Sequence, residues 1–200
     1  MKIYTTVKPL ILGSASPRRK DLLGSAGIEF EIRPATCEEP APKPGQDPEE
    51  YAREMALTKA RNVAAAHPGS YVLGSDTIVV RDMDILGKPK DRAHAYEMLK
   101  SLCGRTHKVI SGCALISPDG STTDFAVSTD VEFIDFNEKV IRAYAATGEP
   151  DDKAGAYAIQ GQGAFLVKGI CGSYTNVVGL PLARVIELLI EMGVVVAGES

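Results

Sequence analysis

Two serines and two arginines lie close together near the N-terminus, in the stretch LGSASPRRKDLL. Ser16 suits a helix N-cap, and Pro17 suits the first helical position, where its missing N–H is not needed. The free N–H groups of that helix start would then converge with the hydroxyls of Ser14 and Ser16 and with the guanidinium groups of Arg18 and Arg19. Such a point suits an anion such as phosphate. From the turn alone, a surface turn with two solvated arginines is an equally good interpretation.

A carboxylate lies inside the strand-like segment YVLGSDTIVV at residues 71–80. The ends of this segment are rich in β-branched and aromatic residues, but the GSDT stretch is predicted to interrupt its middle. Asp76 would be costly in a buried strand unless it is paired or binds a metal ion. Because such local conflicts are expected at functional sites, Asp76 is a candidate functional residue that is either paired or bound to a metal ion. The alternative is a strand end with a turn that Asp76 caps.

Two further groups could act on an anion or a cation. Glu38 and Glu39 follow a short strand predicted near Phe30, and they are either part of a solvated loop or ligands for a divalent cation. Lys59 falls within the apolar stripe of a helix that Asp47 would cap. A lysine there either extends along the edge of the stripe toward solvent or points into a cleft that holds an anion.

The remaining elements must bring these groups together. A hairpin with the turn RDMD would fold Lys88 back toward the same sheet edge as Asp76. The glycine-rich segment at residues 149–172 is predicted to contain a short strand that carries Gln160. Further helices are predicted to follow Asp91, Asn137 and the turn Gly179-Leu-Pro. The mixture of helices, hairpins and crossovers predicts one α/β or α+β domain over residues 1–200, with a cleft.

Composition excludes several classes of protein. The net charge is −4, which argues against bulk binding to nucleic acid or to a membrane surface, since both favour a basic face. No apolar run approaches the roughly 20 residues that span a bilayer. The four cysteines form no CxxC pair, so we expect a reduced, cytoplasmic chain without disulfides or a zinc site.

Seven motifs in one order resemble the Maf family of nucleoside triphosphate pyrophosphatases. They are LGSASPRRKDLL, the EE pair at 38–39, LGSDTIVV, ILGKP, LCGRTHKVISG, DKAGAYAIQGQGAF and GSYTNVVGLPL. The resemblance implies an α/β fold related to the inosine triphosphate pyrophosphatases, with a mixed twisted sheet flanked by helices and two lobes around a central cleft. It also implies a house-cleaning enzyme that hydrolyses a nucleoside triphosphate to the monophosphate and pyrophosphate, with Mg²⁺ or Mn²⁺.

Matching the motifs residue by residue also implies roles. Glu39 falls on the acidic metal-site position, and Asp76 on the position taken as the general base, where it could equally be a metal ligand. The implied substrate-binding residues, with one serine added from the turn itself, are Ser14, Ser16, Arg18, Arg19, Lys59 and Lys88. Asp152 and Lys153 also match the family, and we interpret them as residues that fix a loop.

The branch of the family that the chain resembles acts on dTTP and UTP. Its three specificity positions fall on Arg18, Thr77 and Gln160. A Gln160 amide could pair with uracil or thymine, but it can rotate and satisfy cytosine equally well. The alternatives are a 7-methyl-GTP pyrophosphatase, whose branch departs at these positions, and a nucleotide-binding regulator of cell division that does no chemistry. The resemblance further implies a homodimer.

Overall fold

The computed structural model describes residues 3–198, which form six helices, nine strands and three 3₁₀ turns. The helices are α1 (Pro17–Ser25), α2 (Pro48–Ala64), α3 (Arg92–Leu102), α4 (Glu138–Ala146), α5 (Tyr174–Val178) and α6 (Leu182–Glu191). The strands are β1 (Tyr4–Thr6), β2 (Leu10–Leu12), β3 (Glu31–Ile32), β4 (Tyr71–Arg81), β5 (Asp84–Leu86), β6 (Thr106–Ile116), β7 (Thr122–Phe133), β8 (Val167–Cys171) and β9 (Val195–Ala197). The 3₁₀ turns are Glu149–Asp152, Ala154–Ala156 and Gly161–Leu166.

A seven-stranded mixed sheet carries the architecture. Hydrogen-bonded neighbours follow the order β3-β2-β4-β6-β7-β8. The seventh strand, β5, pairs with the far end of the β4 edge that also pairs with β2. The strand β2 runs parallel to both β3 and β4, whereas all the other pairs in this sheet are antiparallel. The strands β1 and β9 form a separate antiparallel ribbon. The chain is therefore of the α/β class with a mixed sheet, as the sequence predicts.

One edge of β4 is left open in the middle of the sheet. On this edge β2 pairs with β4 as far as Leu73, and β5 pairs with it only from Val79 onward. Between these two points, residues 74–78 pair with β6 along the opposite edge of β4. No described strand pairs with them along the edge that β2 and β5 share. Asp76 lies at the centre of this gap, where a ligand can reach it.

The helix α2 packs unusually close to the sheet at two glycines. A Cβ atom at Gly112 would lie 2.1 Å from the carbonyl oxygen of Ala52, and one at Gly74 would lie 2.3 Å from that of Ala56. No side chain fits at these distances, so both positions require glycine. Because Gly112 is the β6 partner of Asp76, this close approach brings α2 directly over the gap.

Two apolar cores, on the face of the sheet opposite α2, form the two lobes. The α3–α4 core contains Val79, Leu99, Val109, Phe133, Ile141 and Leu166. The α1–α6 core contains Leu12, Leu23, Leu73, Leu115, Val185 and Leu189. Both β4 and β6 contribute to each core, so the two lobes meet along these strands, on either side of Asp76.

The structure confirms three predicted helix caps. Asp47, Asp91 and Asn137 cap their helices, each with a side-chain oxygen that accepts a backbone N–H bond. The four cysteines are free thiols. Within residues 3–198, no helix is both long and apolar enough to cross a bilayer.

Two predictions are wrong. The GSDT stretch does not interrupt β4, because β6 pairs with it continuously from Val72 to Val80. Gln160 does not lie on a strand. It precedes the 3₁₀ turn at Gly161, where the φ of +74° suits glycine, and the next strand starts only at Val167.

Candidate active site

A cleft with a volume of about 560 Å³ opens at the gap in the sheet. Its lining includes seven residues that the sequence predicts for the site: Ser16, Arg19, Glu39, Lys59, Asp76, Thr77 and Lys88. A neighbouring cavity of about 320 Å³ reaches the start of α1 and adds Ser14. Both cavities include Ser16 and Glu39. The fold therefore brings eight of the predicted site residues to one place.

The centre of the cleft is an ammonium group between two carboxylates. Lys59 Nζ lies 2.7 Å from Asp76 Oδ1 and 3.0 Å from Glu39 Oε2. The side chains of Lys59 and Asp76 are only 13% and 12% exposed, whereas that of Glu39 is 54% exposed. Lys59 thus points into the cleft, and it supplies the partner that a buried Asp76 requires.

The donor set of this centre is suited to a hard divalent cation. Two carboxylates lie within hydrogen-bond distance of one point, and Mg²⁺ commonly binds one or two protein carboxylates with substrate phosphates and water. Within residues 3–198, no group of three or more His, Cys, Asp or Glu side chains could hold a metal ion. Glu39 and Asp76 could therefore hold such an ion only together with ligands from outside the protein.

Arg19 joins the start of α1 to the opposite wall of the cleft. Its Nη1 donates to Ser14 Oγ at 3.0 Å, its Nη2 to Thr77 Oγ1 at 3.1 Å, and its Nε to the Gly179 carbonyl at 2.8 Å. Burial lowers the pKa of the Arg19 guanidinium, and the charge of Asp76 opposes this shift. The group remains a cation at neutral pH because an arginine pKa is so high. Three of its five donors are thus fixed by the protein.

The N-terminus of α1 differs from its prediction in one respect. Ser16 is the N-cap residue, but its side chain makes no capping bond. Instead the Ser16 N–H donates to Ser14 Oγ at 3.3 Å. The first N–H groups of α1 therefore lack a side-chain cap beside the smaller cavity, where an anion could accept from them.

A chain of hydrogen-bonded groups extends from Arg19 through Thr77 to two residues that the sequence does not predict, Ser111 and Asn176. Thr77 Oγ1 lies 2.8 Å from Ser111 Oγ, which donates to the Asn176 carbonyl at 3.3 Å. Arginine can only donate, so Thr77 accepts from Arg19 and has its own proton left for Ser111 Oγ or for the Gly179 carbonyl at 3.3 Å. Asn176 is fully buried, and its side-chain amide donates to Val109 O and Thr129 Oγ1. Nothing in the local sequence marks Ser111 or Asn176, since their partners lie on distant elements.

Two predicted site residues lie outside both cavity linings. Gln160 is exposed, and Arg18 is half-buried on α1. Asp152 and Lys153, which we interpreted as loop residues, do line the cleft and pair with each other. The Lys153 hydrogen bond lowers the pKa of Asp152, and the charge of Arg18 lowers it further.

The amino-acid sequence also matches a known protein family. Residues 9–192 match the family described as Maf-like protein. The chain belongs to the Maf family. A relative from Nitratidesulfovibrio vulgaris named dTTP/UTP pyrophosphatase is 49% identical, covering 96% of this chain and 91% of the relative. Another of the same name, from Geotalea uraniireducens, is 50% identical, covering 93% of this chain and 96% of the relative.

Solved structures outside the Maf family are more distant. The Staphylococcus aureus Ham1 protein superposes with a TM-score of 0.47 at 16% identity, over 80% of each chain. A HAM1 protein from Coxiella burnetii gives a TM-score of 0.46 at 17% identity, over 64% of this chain and 73% of that chain.

Proposed function

We propose that this Maf protein hydrolyses dTTP, UTP and related modified pyrimidine nucleotides to the monophosphate and pyrophosphate. The observation that carries the proposal is the Lys59–Asp76–Glu39 centre at the open edge of β4, beside the uncapped start of α1. Relatives that align over nearly the whole chain are named dTTP/UTP pyrophosphatase. The substrate class thus follows from the relatives, and the chemistry from the geometry.

The triphosphate carries about four negative charges, and the cleft offers several cationic donors. Lys88 lines both cavities and has no carboxylate within 4.0 Å among the described residues, so its ammonium is available to phosphate oxygens. The remaining donors of Arg19 and the first N–H groups of α1 lie on the same side. We assign the triphosphate to this side of the cleft.

A divalent cation, Mg²⁺ or Mn²⁺, would be held by Glu39 and Asp76. It would neutralise phosphate charge and acidify a bound water. Asp76 is also the candidate for orienting and deprotonating the attacking water, since its carboxylate is held at the open edge of a buried strand. In the free protein, the hydrogen bond from Lys59 Nζ holds that carboxylate at the cleft.

The nucleobase would occupy the part of the cleft away from α1. This part is lined by apolar side chains and one aromatic ring: Val79, Val109, Ala154, Tyr157 and Val177. Thr77 would act on substrate choice through Arg19, because its hydroxyl is already bonded within the protein. Arg18 and Gln160 are the remaining specificity positions, from the resemblance alone.

A substrate panel tests this function. Purified protein with Mg²⁺ or Mn²⁺ is expected to release pyrophosphate from dTTP and UTP with the highest kcat/KM. The change Asp76→Asn is expected to lower kcat/KM at least 100-fold, the scale of general acid–base catalysis. The matched control is Asp130→Asn, which removes a carboxylate paired with Lys108 at 2.9 Å on the surface.

The same panel decides between the alternatives. A higher kcat/KM for 7-methyl-GTP than for dTTP and UTP would indicate a 7-methyl-GTP pyrophosphatase instead. Tight triphosphate binding without pyrophosphate release would indicate a regulator rather than an enzyme. Full activity of Asp76→Asn would refute the role of Asp76.

Further expectations complete the proposal. We expect the protein to act in the cytoplasm, because its cysteine pattern is that of a reduced chain. We expect a homodimer from the family resemblance, and sedimentation equilibrium tests the dimer. It binds neither nucleic acid nor membranes, in keeping with its net charge of −4.

A further inference from the structure

Lys59 occupies the place in the cleft where a divalent cation would bind. Its ammonium contacts both Asp76 and Glu39 at hydrogen-bond distance, and these are the two carboxylates available to a metal ion there. The carboxylates lie too close to each other to be left without a positive charge, particularly with Asp76 nearly buried. In the absence of a metal ion, Lys59 supplies this charge.

A metal ion and the Lys59 ammonium cannot share this place. Lys59 already contacts one oxygen of each carboxylate, and a second cation bound between the same two carboxylates would lie close enough to be repelled by the ammonium. No third carboxylate, histidine or cysteine among the described residues joins the pair to form a larger metal-binding group. A metal ion that binds Glu39 and Asp76 must therefore displace the ammonium of Lys59.

The displaced ammonium has a second set of partners nearby. Lys59 lines the smaller cavity with Ser16 and Lys88, where we assign the triphosphate. Its four-carbon side chain is flexible, and the ammonium has three donors that can turn to phosphate oxygens. Nucleotide binding thus offers Lys59 a new anion when the carboxylates accept the metal ion.

We propose that Lys59 is an exchangeable internal counter-ion. It holds Glu39 and Asp76 together in the free protein, and it moves to the substrate phosphates when a metal ion takes its place between the carboxylates. This inference rests on the proposed function. The exchange makes metal binding and nucleotide binding depend on each other. A metal ion alone leaves the Lys59 ammonium without an anion, and a nucleotide that draws Lys59 away leaves the two carboxylates without a cation.

Mn²⁺ binding to the nucleotide-free protein tests the exchange directly. Electron paramagnetic resonance of free Mn²⁺ gives the dissociation constant without any turnover. Lys59→Met removes the competing ammonium, so it is expected to tighten Mn²⁺ binding at least tenfold, or about 1.4 kcal/mol. The matched control Lys153→Met removes another lysine that lines the cleft but pairs with Asp152, and it is expected to change binding less than threefold.

A second measurement follows the coupling. With a dUTP analogue whose α,β-bridging oxygen is replaced by NH, Mn²⁺ should tighten analogue binding in the wild-type protein, and the analogue should tighten Mn²⁺ binding by the same factor. In Lys59→Met this factor should fall at least threefold. Circular dichroism verifies folding, and Lys59→Gln replaces Lys59→Met if the latter does not fold.

The outcomes separate this inference from the proposed function. If Lys59→Met binds Mn²⁺ no tighter than the wild-type protein, or if Lys153→Met tightens binding equally, the exchange is refuted. That result would leave pyrophosphate release from dTTP and UTP intact. Conversely, a protein inactive on every nucleotide in the panel would refute the proposed function, while tighter Mn²⁺ binding by Lys59→Met would still support competition at the carboxylates.

Discussion

Replacing Gly112 by alanine should disturb both stability and the catalytic centre. The added Cβ would lie 2.1 Å from the carbonyl oxygen and 2.3 Å from the carbonyl carbon of Ala52, both atoms of the α2 backbone. Because a backbone cannot rotate out of the way as a side chain can, α2 must move by about 1 Å to restore ordinary contact distances. That movement would act where Lys59 of α2 meets Asp76, the β4 partner of Gly112.

The expected loss is at the upper end of the overpacking range. Inserting a carbon into a packed core typically costs 1–3 kcal/mol, and here the contact is with a rigid helix, so we expect about 3 kcal/mol. For a chain of this length, that loss lowers the midpoint of thermal unfolding by about 6–12 °C. A displacement of about 1 Å at Lys59 should also lower kcat/KM about 100-fold for dTTP.

Urea unfolding and steady-state kinetics measure the two effects separately. The control Gly24→Ala changes a glycine inside α1 whose added Cβ meets no atom within 4 Å. It should leave stability unchanged or raise it by up to about 1 kcal/mol, from helix propensity. If Gly112→Ala unfolds at the same urea concentration as the wild-type protein, the close packing of α2 on the sheet is refuted.

Two more predictions concern buried and capping groups. Burial lowers the pKa of His107 from 6.5 to about 4, so the unfolded chain takes up this proton first as the pH falls. The free energy of unfolding should drop by about 3 kcal/mol between pH 6.5 and pH 4 through this group, and urea titrations of His107→Gln should lack this part of the pH dependence. Asp47→Ala removes the Oδ1 that accepts from the Glu50 N–H at 3.0 Å. It should cost about 1 kcal/mol in thermal unfolding, whereas Asp47→Asn should retain most of the capping bond.

Local patterns predict a large part of this fold. Caps such as Asp47 and Asn137 give the helix starts because the capping bond involves residues two or three positions away. The charged residues at 39, 59, 76 and 88 were also identified from conflicts with their local pattern or from motifs. They meet in the structure because β2 and β5 leave the same edge of β4 open.

The remaining features depend on partners far away in the chain. The continuity of β4 through Asp76 comes from its pairing with β6, which no local propensity records. Ser111 and Asn176 join the site only because β6 and α5 pack beside β4. The sequence predicts a strand at Gln160, but Gly161 takes a positive φ and begins a 3₁₀ turn instead.

The continuity of β4 and β6 through both lobes also bears on how the cleft opens. Domain closure usually bends a few loop residues at a hinge, but here two hydrogen-bonded strands connect the lobes. Any change in the angle between the two lobes must therefore twist the sheet itself. Folding thus sets the arrangement of the lobes before substrate binds, and the rearrangement proposed on binding is that of the Lys59 side chain.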